Sequence, residues 1–234
     1  MEEFDKSRLI LDTLAEKSSV KLKVYDNTLE VFSSLKQVLT DIERQYNANM
    51  LPQTDKRANL LYTDKGKYAA QLRIAGDLLI FNMHTNIFEF DRDNIVWKNS
   101  YVSENKLNSY CGVINIYNFL SDSFNYNRLD DLGYLVARIF INREKHYFVE
   151  GKRQLGVLYN NFGTAQIQES DLIKIVNSAI LYCLEFDLLV PPYDNVKIVS
   201  VAQLNEKIEN SRLATGKRLG FTFNSDDVSA NVKR

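Results

Sequence analysis

The sequence predicts an α+β fold: a central, mainly antiparallel sheet over about residues 57–150, with helices from the N- and C-terminal segments packed on it. Three observations predict it. The middle of the chain is a series of short apolar-rich runs separated by turn signals, with no helical pattern between them. Both flanks carry apolar residues at helical spacing. Three of the middle runs, Asp77–His84, Tyr110–Asn118 and Tyr134–Asn142, are apolar on both faces, as strands covered from two sides are.

Composition supports one domain. Of the 234 residues, 45% are hydrophobic and 25% charged, enough for a core without disulfide or metal staples. No linker-like segment divides residues 1–223, and the polar tail 224–234 reads as disordered. A net charge of −1 disfavours generic nucleic-acid binding and attraction to anionic membranes. Cys111 and Cys183 sit among apolar neighbours, and without a Cys-x-x-Cys or Cys/His cluster no structural zinc is expected. The start, MEEFDKSR, is acidic where a secretory signal is basic, and no run has transmembrane length, so a cytoplasmic, reduced protein is expected.

In chain order, Phe4, Ile10, Leu11 and Leu14 predict a first helix. Val20, Leu22 and Val24 alternate and suggest a short strand or extended link. Asn27 with Glu30 fits a capping box for a second helix. That helix carries Leu29, Phe32, Leu35, Leu39 and Ile42 on one stripe, which suits packing on its own domain or a homodimer seam. Strands are expected at Ala58–Thr63 and Lys67–Ile74 around the turn Asp64-Lys65-Gly66, then at Asp77–His84, Ile87–Phe90 and Ile95–Tyr101. Tyr110–Asn118 follows, then an aromatic-rich loop at Ser121–Asp131, then a hairpin of Tyr134–Asn142 with His146–Glu150. Ser170 caps a helix running to about Asp187, stopped by Pro191-Pro192. A strand at Asn195–Val199, a short helix capped by Ser200 with Gln203, and a strand at Arg218–Phe223 complete the pattern.

Polar residues interrupt the three doubly apolar strands: Asn82, His84, Asn115 and Arg138. A polar side chain in such a strand needs a partner, so together they mark a candidate ligand-binding site. Arg138 is the sharpest, because its permanent charge must be answered by a carboxylate (Asp77, Asp122 or Glu150) or by a bound anion. Lys152 and Arg153 in Gly151-Lys152-Arg153 echo Lys217 and Arg218 in Gly216-Lys217-Arg218, and both pairs are candidate contacts to a small anion. Neither segment is a Walker loop. Cys111 lacks the setting that would activate a nucleophile.

The favoured reading is a non-enzymatic module binding a small anionic ligand or a protein partner, with no cofactor. An enzymatic alternative is a metal-dependent nuclease or phosphodiesterase. In it, Asp131 and Glu150 would hold Mg²⁺ and Lys152 would steady the attacking water. A third reading is a structural or assembly subunit. The loop residues Phe119, Phe124, Tyr126 and Arg128 suit stacking on a partner or on one another.

Overall fold

A computed structural model describes residues 2–126, 128, 129, 131–152, 155, 162–186, 192–202, 204 and 205. Helix α1 (Glu2–Thr13) runs through one wide helical turn, Leu14–Ser18, into the 30-residue helix α2 (Ser19–Ala48). Six strands follow: β1 (Leu60–Asp64), β2 (Ala69–Ile74), β3 (Asp77–Met83), β4 (Gly112–Leu120), β5 (Tyr134–Ile141) and β6 (Tyr147–Gly151). They form one antiparallel sheet in the order β1-β2-β3-β4-β5-β6. Short helices α3 (Ser100–Glu104) and α4 (Ser121–Asn125) flank β4, and α5 (Glu169–Leu184) and α6 (Tyr193–Val196) follow the sheet. The α+β class and the antiparallel sheet are as the sequence predicts.

The sheet has two differently covered faces. Strand side chains alternate, and one set, including Leu79, Phe81, Met83, Ile114, Ile116, Ile139 and Ile141, packs under α2 and α5 as the main core. The opposite face carries Val113, Phe140 and Phe148, which form a smaller cluster with Val96, Val102, Cys111 and Phe162. The long excursion between β3 and β4 supplies Val96, Val102 and Cys111 to that cluster. The sequence pattern of strands apolar on both faces is thus explained, although the second cover reaches only part of its face.

The alternation of Val20, Leu22 and Val24 does not make a strand. Val24, Val31 and Val38 recur at seven-residue intervals, as do Thr28, Leu35 and Ile42, and all six are buried on α2. A three-residue alternation yields to that longer period. Asn27 consequently lies inside the helix and caps nothing. Its amide donates to the carbonyls of Asn142 (3.1 Å) and Arg143 (2.7 Å), tying the β5–β6 turn to α2. The stripe considered as a homodimer seam faces the protein's own sheet. Phe32, Leu35, Leu39 and Ile42 are at most 3% exposed, and Leu29 packs against the same core. A second copy could reach them only by displacing the sheet.

Three further elements differ. Phe88 makes an isolated bridge to Cys111 and no strand, Ile95–Lys98 and Ser100–Glu104 are helical turns, and Tyr193–Val196 is helical. Asn94 and Asn99 accept from the amides of Val96 and Tyr101, and these side-chain caps impose turns on the apolar residues around Trp97. Helix α5 starts one residue before Ser170, with Gln168 and Asp171 forming a capping box. Gln203 and Arg218–Phe223, like the tail, lie outside the described residues. Gly66 takes the positive φ (+94°) foreseen for the β1–β2 turn.

Helix α2 and the sheet approach closely where Gly112 opens β4. A Cβ there would lie 2.1 Å from Thr28 Oγ1 and 2.8 Å from Thr28 Cγ2, so only glycine fits beneath α2. Gly112→Ala is expected to cost about 1–3 kcal/mol in chemical denaturation by overpacking. The same substitution in a Thr28→Ala background should recover part of that loss. Equal losses in both backgrounds would locate the strain elsewhere.

Candidate functional site

The strand register brings the polar intruders into one row. Asn82 pairs with Asn115, Asn115 with Arg138, and Arg138 with Glu150. Residues opposite one another across strands share a face, so the four side chains lie side by side across β3, β4, β5 and β6, on the face away from α2. His84, just past the end of β3, is on the same side. Residues separated by up to 68 positions in the chain thus form one line, which no local pattern announces.

The row crosses the floor of a groove of about 630 Å³. Asn115, Arg138, Glu150 and Tyr117 line it from the sheet, with Phe140 and Phe148; His84, Phe88, Phe90, Glu89, Asp91 and Asn94 line it from the β3–β4 excursion. The aromatic floor is close-packed. Phe140 and Phe148 stack at 4.6 Å between centroids, and Phe90 tilts against both at 5.1 and 5.5 Å. The wall is held by Trp97, whose indole N–H donates to the carbonyl of Asp91 (2.9 Å) while Arg92 stacks on its ring at 4.1 Å. A register shift between Ile116 and Tyr117 passes over Val136. Val136 and Ala137 both join the main core, and Leu135 turns toward the groove.

Arg138 is answered by Glu150. Its Nε–H donates to Glu150 Oε2 at 2.9 Å, and an Nη2–H donates to the same oxygen. The side chains are 41% and 58% exposed, so the pair stands at the groove surface and contributes about 0–1 kcal/mol to stability. Arg138 also lies 5.3 Å from the Phe140 ring centre. His84 Nδ1 accepts from the Asn86 amide at 3.0 Å, which places the proton of the neutral ring on Nε2, and its ring meets Phe88 edge-on. Asn82 donates to the carbonyl of Tyr68 (3.3 Å) and sits at the outer end of the row, outside the groove lining.

The other predicted residues separate. Asp131 accepts from Ser123 Oγ (2.6 Å) and lies 3.6 Å from Arg128, fastening the loop after α4; it does not line the groove that Glu150 lines. The Asp131, Glu150 and Lys152 constellation is therefore not assembled there. No group of three or more His, Cys, Asp or Glu suited to a metal occurs among the described residues. The Lys152 amide donates to Val136 at 3.1 Å. Arg153, Lys217 and Arg218 lie outside the described residues. The aromatics expected in the loop contact one another and their own arginine: Phe119, on β4, meets Phe124 of α4 edge-on, and Arg128 lies over Tyr126. His146 packs beside Tyr101, whose hydroxyl donates to Glu144 (2.7 Å) and accepts from Asn142 (2.8 Å) at the β5–β6 turn. Sequence reasoning missed Glu89, Asp91 and the aromatic floor, because their patterns resemble ordinary core and loop.

No family description, curated protein or solved structure matches this chain. No helix among the described residues is long and apolar enough to cross a membrane.

Burial pushes the Cys111 thiol well above the usual thiol range, so the nucleophilic thiolate is disfavoured. Cys183 is 1% exposed. Neither cysteine is expected to react with an aromatic disulfide reagent in the native protein at pH 8, and both should react in guanidinium chloride. A fast native equivalent would show that one of them opens to solvent.

Proposed function

We propose that this protein is a non-enzymatic binding module whose groove takes a small zwitterionic ligand with an apolar body, such as an amino acid. The observation that carries this reading is the exposed Arg138–Glu150 pair set in the polar row above an aromatic floor. The pair is weak enough to open. A lone anion gains only Arg138 and a lone cation only Glu150, each in exchange for the existing pair. A ligand bearing both charges answers both.

The charge inventory points the same way. Among the described residues Glu89, Asp91 and Glu150 line the groove with one guanidinium, Arg138; Glu89 is paired with Arg92 (3.1 Å) and Glu150 with Arg138, so Asp91 leaves the lining net negative toward a purely anionic ligand. This narrows the expectation of an anion: the ligand's carboxylate would use Arg138 only if an ammonium accompanies it. Phe88, Phe90, Phe140 and Phe148 supply the surface for an apolar side chain, and the Asn115 amide can donate or accept beside the charged pair.

Phenylalanine, phenylacetate and phenethylamine separate these contributions by calorimetry or amide-shift titration. Phenylalanine is expected to bind at least tenfold more tightly than either half-ligand, and Arg138→Ala should abolish that margin, a difference of about 1.4 kcal/mol or more. Phenylacetate binding as tightly as phenylalanine, or no binding by any of the three, would overturn the reading.

A further inference from the structure

Every residue from Asp5 to Lys17 is exposed, although this helical stretch carries the aliphatic side chains Leu9, Ile10, Leu11 and Leu14. These are 66%, 59%, 65% and 55% exposed, and Leu22, at the start of α2, is 67% exposed. Single exposed aliphatic side chains are ordinary; five within fourteen residues of one helical stretch are not.

The helix presents these residues in an ordered way. Ala15, Glu16, Ser19, Val20 and Lys23 line a shallow cavity with Leu107 and Arg143 of the domain. Lys17 and Lys21 lie 5.5 and 5.1 Å from the centre of the Tyr110 ring. The arc turned away from both contacts carries Ile10, Leu14, Ser18 and Leu22 at intervals of four, with Leu11 beside them. The wide turn Leu14–Ser18 has more residues per turn than an α-helix, which keeps positions four apart in line.

We infer that α1 and the start of α2 pair antiparallel with the same segment of a second copy, Leu11 of each against Leu14 of the other. The charge pattern selects this occupant. Residues 2–23 hold five acidic and five basic residues; three acids stand at residues 2–5 (EEFD), with Lys6 and Arg8 after them, and Lys21 and Lys23 stand at the other end. Antiparallel pairing sets the acidic end of one helix beside the basic end of the other and opposes the helix dipoles; parallel pairing sets like beside like. A membrane surface fits less well, because a helix that lies on lipid carries its cations around the apolar face and this one opens with acids. The antiparallel arrangement also places the two domains at opposite ends of the pair.

The test uses the full chain. Sedimentation velocity is expected to give twice the 27.1 kDa chain mass at tens of micromolar. Leu11→Glu with Leu14→Glu should raise the dissociation constant at least tenfold while leaving the thermal unfolding of the domain intact, because neither side chain is in the core. Oxidising a mixture of Ser7→Cys and Ser18→Cys proteins, one of them tagged, should yield mainly the mixed 7–18 dimer. Three results would overturn the proposal: a monomer at 100 µM, a monomer that instead binds anionic phosphatidylglycerol vesicles, or 7–7 and 18–18 dimers in place of the mixed one.

Discussion

The structure depends on one contact, the burial of the α2 stripe across the sheet. Leu35 and Leu39 are fully buried in the core that the helix forms with it, and the helix reaches β4 closely enough that Thr28 occupies the space a side chain at position 112 would need. Through Asn27 the same helix holds the β5–β6 turn, and through Lys145 and Glu30 it adds an ion pair at 2.6 Å on the same turn. Helix α5 completes this layer. With the apolar surface of one face committed to helices, the other face can carry polar side chains in mid-strand without a wholly dry environment.

That second face is where binding chemistry can reside. Four polar residues on four neighbouring strands fall into register, so their spacing is set by the strand separation of the sheet and not by loop geometry. The β3–β4 excursion turns this row into a groove. It contributes the aromatic wall and two carboxylates, and it is itself held by side-chain caps, the Phe88–Cys111 bridge and the Trp97 contacts. The floor is held by the strand ladder, and the wall by hydrogen bonds formed within the excursion and with Cys111.

Much of this was legible in the sequence. The six strands, their hairpins and the flanking helices follow from apolar periodicity and turn residues, and the four intruders were recognisable because polar side chains break otherwise apolar strands. Glu150 was a named partner for Arg138. What stayed hidden was relational. That Asn82, Asn115, Arg138 and Glu150 are neighbours depends on three strand registers, and the register of β3 on β4 is set across a long excursion with no tight turn to fix it. Asn27 looked like a cap because its local context fits one; its true partners lie 115 and 116 positions away. The stripe Leu29–Ile42 satisfies a core face and a helix–helix seam equally well, and only the presence of the sheet beneath it decides.

The meander order of the sheet has a kinetic consequence. Five strand pairings join neighbours in sequence; three of these close over short turns, so those hairpins can zip locally and quickly, while β4 to β5 closes over the segment that holds α4. The fifth, β3 to β4, must wait for the segment between Met83 and Gly112 to fold back, and the entropy of that closure is repaid only once the registers lock. The polar row straddles this junction. Its left half, Asn82, and its right half, Asn115 to Glu150, belong to two separately forming ribbons, so the site comes into being at the step that joins them. Whatever stabilises the closed excursion therefore sets both the pace of folding and the moment at which the groove first exists.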